Sequence, residues 1–308
     1  MKPNGNGMTL EQLRIFVAVA EREHVTRGAA ALNLTQSAVS AAIRALEQRH
    51  GITLFHRIGR RIELTEAGRI FRTEAEAVLA RAQAAELVLA ELGGARRGTL
   101  AVQASQTVAS YWLPPLLVRF RASHPGVSVR VTAGNTATVV QALLDGAAEL
   151  GFVEGEVEAP ALEQTILAAD QLIIVVGLDH PWADGAPLPP RRFGDSAWIM
   201  REAGSGTRAA LEDLLPRLGV DPASLEVALE LPSNEAVLAA VEGGGGAAVV
   251  SARAAAPHLV AGLLARAGVD LPPRSFKALR HRERYASGAA RALLGLAAGD
   301  QNSWRPGP

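Results

Sequence analysis

The stretch Thr35-Gln36-Ser37-Ala38-Val39-Ser40-Ala41-Ala42-Ile43-Arg44, running on to Glu47 and Gly51, decides the fold. Thr35 has the side chain of a helix N-cap, and Gly51 that of a helix stop. Between them the spacing predicts a helix from Gln36 to about Arg49, with Ala38, Val39, Ala42, Ile43 and Leu46 on its buried face. Its other face carries Gln36, Ser37, Ser40, Ala41 and Arg44. Upstream, Thr9 and Gln12 read as a capping box. Apolar Leu10, Leu13, Phe16, Val17 and Ala20 predict a first helix at about 10–23. A short second helix is expected from Thr26 to Leu32. Two short helices joined by a tight turn, the second opening with small polar side chains, form a helix-turn-helix pattern. Such a helix fits the DNA major groove, where Gln can pair bidentately with adenine and Ser or Thr can bond to a base or phosphate. An ordinary three-helix bundle with a polar face satisfies the same spacing.

The following residues favour nucleic acid. Phe55 to Leu64 reads as strand, Gly-containing basic turn and strand, a hairpin wing with Arg60 and Arg61 near its tip. From His24 to Ile62 the charges are Arg27, Arg44, Arg49, Arg57, Arg60 and Arg61 against Glu47, a local balance of +5. Basic side chains so placed suit phosphates or a minor groove. The candidate DNA contacts are therefore Thr35, Gln36, Ser37, Ser40, Arg44, Arg57, Arg60 and Arg61.

Thr65 caps a long helix expected over 66–92, spanning about 40 Å. Its apolar residues Phe71, Ala75, Val78, Ala82, Ala85, Leu89 and Leu92 alternate at spacings of four and three. That is a heptad seam, and a homodimer is the preferred reading over burial against the protein's own body.

These motifs resemble the DNA-binding module of LysR-type transcriptional regulators. The resemblance rests on Leu13–Ala20, Ala29-Ala30, Leu34–Ser40, Ile43–Glu47, Gly51–Arg57 and Leu64–Gly68, in that order. It implies a winged helix-turn-helix over 8–65, a dimerising linker helix over 66–92 and an α/β effector domain over 98–297. That domain is expected as two Rossmann-like subdomains resembling a periplasmic binding protein. Subdomain I takes about 98–167 and 268–297, subdomain II about 168–267, and 298–308 is a tail. The implied partners are an inverted-repeat operator in double-stranded DNA, a small-molecule effector, further copies of the chain as dimer or tetramer, and RNA polymerase. One departure is Gly28, where the family has Ala. A helix-interior Gly costs about 1 kcal/mol, so a soft second helix is expected.

Downstream, strands and helices alternate in an α/β pattern of mostly parallel strands. Ligands in such sheets sit at the carboxyl ends of strands, beside helix N-termini. The candidates there are Ser105, Gln106, Thr107, Asn135, Thr136 and Glu154. From the second half come Ser205, Gly206, Thr207, Arg208, Asn234 and Ser251, with Arg208 as the supply of positive charge and Arg201 as second choice. Singly, each Ser, Thr or Asn reads as a helix cap; the resemblance implies that they converge on one cleft, where as a set they suit a small anion or carboxylate. Glu154 would repel an anion unless turned away or paired. Gly134–Gly155 is similar to the branch that regulates sulfur or carbon assimilation. A second basic run, Arg274, Lys277, Arg280, Arg282 and Arg284, reads as an exposed strand face.

The 308 residues hold 31 basic and 31 acidic side chains, and no cysteine. Zero net charge excludes a uniformly basic nucleic-acid coat and leaves room for a local basic patch. The absent cysteines remove disulfides, thiolate metal sites and a Cys nucleophile. The first residues lack an apolar signal region and no stretch suits a membrane span, so a cytoplasmic protein is expected. Gly204–Arg208 lacks the Gly-Lys-Ser/Thr end of a phosphate loop, and Ala203 stands where a nucleophile elbow needs Gly. The seven histidines form no helical metal pair, and no cofactor motif is present. A non-enzymatic regulator is the reading. The alternatives are a solute-binding protein without a DNA role and an enzyme carrying a DNA-binding module.

Overall fold

A computed structural model of the chain describes residues 7–58, 61–93 and 98–299. They form two compact units, the first reaching Glu86 and taking in Asp145–Ala147, the second holding Leu87–Leu144 and the residues from Ala148 on.

The first unit begins with α1 (Leu10–Ala20), where Thr9 Oγ1 accepts from the Gln12 amide at 3.2 Å and Gln12 Oε1 accepts from the Thr9 amide at 3.1 Å. α2 (Val25–Ala31) follows, capped by His24, and α3 (Gln36–His50) is capped by Thr35, which accepts from the Ala38 amide. Gly51 ends α3 at φ +64°, a left-handed turn that an L side chain rarely adopts. The strands β1 (Phe55–Ile58) and β2 (Arg61–Leu64) pair antiparallel, Phe55 opposite Leu64 and Ile58 opposite Arg61. The long helix α4 (Glu66–Leu92) starts beside Thr65, whose hydroxyl donates to Thr53 O and accepts from the Gly68 amide. Leu13, Phe16, Val19, Val39, Ile43, Leu46 and Leu54 make the core.

Three expectations change here. Ala38 is exposed, because the first turn of α3 projects beyond the core that Val39 and Ile43 enter. Phe71 and Ala75 turn into their own unit's core: Ala75 is buried, and the Phe71 ring lies 4.8 Å from that of Phe16. They are therefore withdrawn from the outward seam, whereas Val78 and Leu89 are exposed. Gly28 answers a packing demand. A Cβ there would stand 2.7 Å from Val19 Cγ2, so its small size lets α2 close on α1.

The second unit runs β3 (Gly98–Ser105), α5 (Gln106–Tyr111), α6 (Leu113–Ser123), β4 (Val127–Gly134), α7 (Thr136–Asp145), β5 (Leu150–Val153), β6 (Leu162–Asp170) and β7 (Leu172–Gly177). It continues with β8 (Ala197–Arg201), α8 (Gly206–Leu214), β9 (Glu226–Leu231), α9 (Asn234–Glu242), β10 (Ala248–Ser251), α10 (Ala252–Val260), β11 (Leu264–Arg266), β12 (Arg274–His281) and α11 (Gly288–Gly299). One sheet has the order β4-β3-β5-β12-β6, and another the order β10-β7-β11. β8 and β9 pair in parallel, and hydrogen bonds between Ala197, Ile199 and Ala247 tie β8 to the segment entering β10. The chain passes from the first sheet to the second between Asp170 and Leu172, and back between Arg266 and Arg274. Each half buries its own apolar residues, Leu100, Phe120 and Phe152 in one and Ile174, Phe193 and Trp198 in the other.

The strands are less parallel than their alternation with helices suggested. β3 is parallel to β4 and β5, but β12 is antiparallel to both its neighbours, and β7 is antiparallel to β10 and β11. The basic run is also corrected. β12 lies inside its sheet, with Phe276, Lys277, Ala278 and Leu279 buried, so it is no exposed strand face. Its charges are met locally: Arg274 by Asp170, Lys277 by Glu156 at 2.6 Å, and Arg280 by Glu163. Arg282 donates to Pro160 O, and Arg284 donates to Leu143 O and Leu144 O.

Candidate functional site

Thr35, Gln36, Ser37 and Arg44 lie exposed along α3, with Ser40 half-buried among them. The Thr35 hydroxyl is the helix cap and lies 3.1 Å from Ser37 Oγ. Glu47, the acid within the basic stretch, turns to the base of the wing. Its Oε1 accepts from the Leu54 amide at 2.8 Å and the Phe55 amide at 3.3 Å. That carboxylate thus serves two strand N–H groups, leaving the polar edge of α3 with Gln, Ser and Arg side chains. Arg60 lies outside the described residues; Arg57 and Arg61 are placed in β1 and β2 by their backbone alone.

In the second unit the predicted residues gather between the two sheets. Ser105 tops β3, Thr136 opens α7 and Glu154 follows β5, all buried. Facing them are Ser205, Gly206 and Thr207 at the start of α8, and Asn234 at the start of α9, also buried. Direct bonds link the halves. Asn234 Nδ2 donates to Thr107 Oγ1 at 3.1 Å, and the Asn234 amide donates to Gln106 Oε1 at 2.6 Å. Asn135 Nδ2 donates to Glu202 Oε1 at 3.2 Å. The Gln106 amide and the Tyr111 hydroxyl both donate to Glu235. At the tightest point a Cβ on Gly206 would stand 2.8 Å from the Gly155 nitrogen and 2.9 Å from Thr136 Oγ1, so both glycines are needed for this approach.

The charges are arranged differently from expectation. Arg208 is paired within its own lobe: it binds Glu212 at 2.7 Å and Glu230, which raise its pKa. Arg201 is buried and donates to Asn234 Oδ1 and to both oxygens of Glu202. Burial pushes the Glu202 carboxyl up, but the hydrogen bonds and charge of Arg201, with the Asn135 amide, hold it below the usual carboxylate range. Burial and the Glu235 carboxylate raise the Tyr111 phenol well above its ordinary value.

A further cation, Arg274 at the start of β12, lies among these residues. Its Nε donates to Asp170 Oδ2 at 2.8 Å and its Nη1 to Thr207 Oγ1 at 3.0 Å. Ser251 Oγ donates to the other oxygen of Asp170 at 2.5 Å. Glu154 is paired, accepting from the Ser105 hydroxyl and lying 3.8 Å from Arg274. Asp170, Arg274, Glu202, Glu235 and Tyr111 were missed. Asp170 carries a usable signal: a charge between the apolar runs Ile166–Ala169 and Leu172–Val176 must be paired if buried.

A helix-turn-helix unit ahead of a two-lobed α/β unit is the arrangement of a ligand-responsive transcriptional regulator. Residues 10–69 match the family described as "Bacterial regulatory helix-turn-helix protein, lysR family", and 93–300 match "LysR substrate binding domain". The chain belongs to the LysR family of transcriptional regulators. It is 35% identical over 289 residues to the Escherichia coli K12 regulator YeiE, covering 93% of this chain and 96% of that one. It is 34% identical over 244 residues to a RuBisCO operon transcriptional regulator of Allochromatium vinosum, covering 79% and 80%. The Synechocystis PCC6803 CcmR regulatory domain, solved with 2-PG, matches with a TM-score of 0.61 and 28% identity over 66% of this chain and 97% of that one. No helix among the described residues is long and apolar enough to cross a membrane.

Proposed function

We propose that this regulator reads an inverted-repeat operator as a dimer and answers a small anionic metabolite held between the lobes of its second unit. The carrying observation is the polar edge of α3. Gln36, Ser37 and Arg44 are exposed there, while Glu47 is committed to the Leu54 and Phe55 amides. Residues 8–65 form the reading head, with Arg57, Arg60 and Arg61 adding contacts to phosphate. Residues 66–92 carry the dimer seam through Val78, Ala82, Ala85, Leu89 and Leu92. Residues 98–297 sense the effector, and RNA polymerase and a second dimer are the further protein partners. The protein is a cytoplasmic non-enzyme: it binds its ligand without turnover.

In the cleft, Ser105, Gln106, Thr107, Asn135, Thr136, Ser205, Gly206, Thr207 and Asn234 supply hydroxyl, amide and backbone groups. Arg274, not Arg208, supplies the positive charge. The CcmR regulatory domain, solved with 2-PG, supports a small metabolite at this level of the fold. Ligand binding shifts the balance between lobe arrangements, which changes how the dimers sit on DNA.

The test is retention of inverted-repeat DNA by the full chain across a salt titration. Gln36→Ala should cost about 1–3 kcal/mol on the preferred sequence and little on unrelated DNA. A chain starting at Gly98 should retain no DNA. Retention by that shortened chain, or equal loss on all sequences for Gln36→Ala, refutes the assignment of α3.

A further inference from the structure

The ion cluster beneath the cleft carries groups that hinge packing leaves unused. Arg274 has an 8% exposed side chain, and its Nη2 is buried with no hydrogen-bond acceptor among the described residues. The Thr136 hydroxyl is likewise buried without a partner, against the Gly155–Gly206 contact. Between Ser105 and Arg274 sits the Glu154 carboxylate, 4% exposed. It accepts from the Ser105 hydroxyl, and its Oε1 lies 3.8 Å from Arg274 Nη1. Ser105 and Glu154 stand at the carboxyl ends of the neighbouring parallel strands β3 and β5, where sheets of this kind hold their ligands. A side chain of the protein therefore brings an oxyanion to the place where donors converge.

We propose that Glu154 is a built-in surrogate ligand, its carboxylate holding the position beside Ser105 and Arg274 that the oxyanion of a bound metabolite takes over. This rests on the cleft reading above and specifies its regulation. Asp170 and Glu154 flank Arg274, and with Arg253 4.0 Å from Asp170 the two carboxylates balance two guanidinium groups. An incoming phosphate, sulfate or carboxylate meets the unpaired Nη2 and completes its contacts with the guanidinium and the Ser105 hydroxyl by displacing Glu154. Glu154 thus sets the effector concentration at which the regulator responds, and restricts the ligand to anions able to compete with a carboxylate. Removing its charge leaves Arg274 and Ser105 facing the cleft with an anion-sized deficit.

The test titrates inorganic phosphate into the full chain, read by calorimetry and thermal shift. Glu154→Gln and Glu154→Ala should each bind phosphate at least about tenfold more tightly than the wild type. Glu154→Asp, which keeps the charge, should show no gain. Adding Arg274→Gln to Glu154→Gln should abolish the gain. The alanine variant carries the test if the glutamine variant misfolds. Unchanged affinity in the neutral variants, no phosphate binding by them, or a gain that survives Arg274→Gln overturns the proposal. A purely structural Glu154 would lower the melting temperature without raising affinity. These titrations contain no DNA, so loss of operator retention would count against the regulator reading alone.

Discussion

Replacing Asp170 with alanine should be among the most damaging single changes to the second unit. The carboxylate is fully buried. It accepts from Arg274 Nε at 2.8 Å and Ser251 Oγ at 2.5 Å, and lies 4.0 Å from Arg253 Nε. Removing one member of a buried pair costs about 3–5 kcal/mol, because the other charge remains out of water. Glu154, 3.8 Å from Arg274, relieves part of that, so the expected loss is about 3 kcal/mol. Three tryptophans, Trp112, Trp182 and Trp198, are buried in this unit, so tryptophan fluorescence in urea follows its unfolding. With a slope of about 2 kcal/mol per molar urea, the midpoint should fall by about 1.5 M. Adding Arg274→Met removes the stranded charge, and the double variant should be more stable than Asp170→Ala alone. A loss below about 1 kcal/mol, or a double variant whose loss equals the sum of the two singles, refutes the charge-pair argument.

Gly28→Ala gains about 1 kcal/mol of helix propensity but forces a methyl group to 2.7 Å from Val19 Cγ2 and 3.0 Å from its Cα. Overpacking of that kind costs about 1–3 kcal/mol, so the reading head should lose about 1 kcal/mol net in thermal unfolding, and a higher melting temperature would contradict the packing account. His180 has its pKa lowered by burial from the ordinary 6.5. The unfolded chain therefore takes up this proton at a higher pH than the folded one, and the stability contribution, complete above about pH 6.5, falls as pH drops through the folded value. Melting curves across that range should show the loss, and His180→Gln should flatten it; an unaltered slope in the variant would assign the effect elsewhere.

The reading head was legible because its signals are local. Thr35 and Gly51 bracket α3 in sequence as they do in space, and Thr9 and Gln12 close their capping box within one turn. Failures arose where a face needs a covering body. Helical spacing put Ala38 with Ala42 and Phe71 with Val78, but only the packed core says that Ala38 clears it and Phe71 enters it. In the second unit the illegible part was long-range pairing. β12 returns more than a hundred residues after β5 and β6 to lie antiparallel between them. Its bases every few residues looked like a solvated face because Asp170, Glu156 and Glu163 are remote in sequence. Arg208 was read toward the cleft for a related reason: Glu230, which holds it from β9, lies 22 residues away.

Charge is handled by opposite means in the two units, and this explains why zero net charge did not exclude DNA binding. In the head, Glu47, already counted in the balance of +5, spends its carboxylate on the Leu54 and Phe55 amides. In the second unit, Arg201, Arg208, Arg274, Lys277 and Arg280 each face a carboxylate. Attraction to phosphate is thereby weakened around these five side chains. Within the sensor, neutrality is local, and most of its pairs are fixed by single partners. Arg208 and Arg274 each face two carboxylates, and of these two Arg274 is the more buried and has a nitrogen, Nη2, without a hydrogen-bond partner. An anion added at Arg274 exchanges with the more distant carboxylate, Glu154, and leaves the 2.8 Å pair with Asp170 intact.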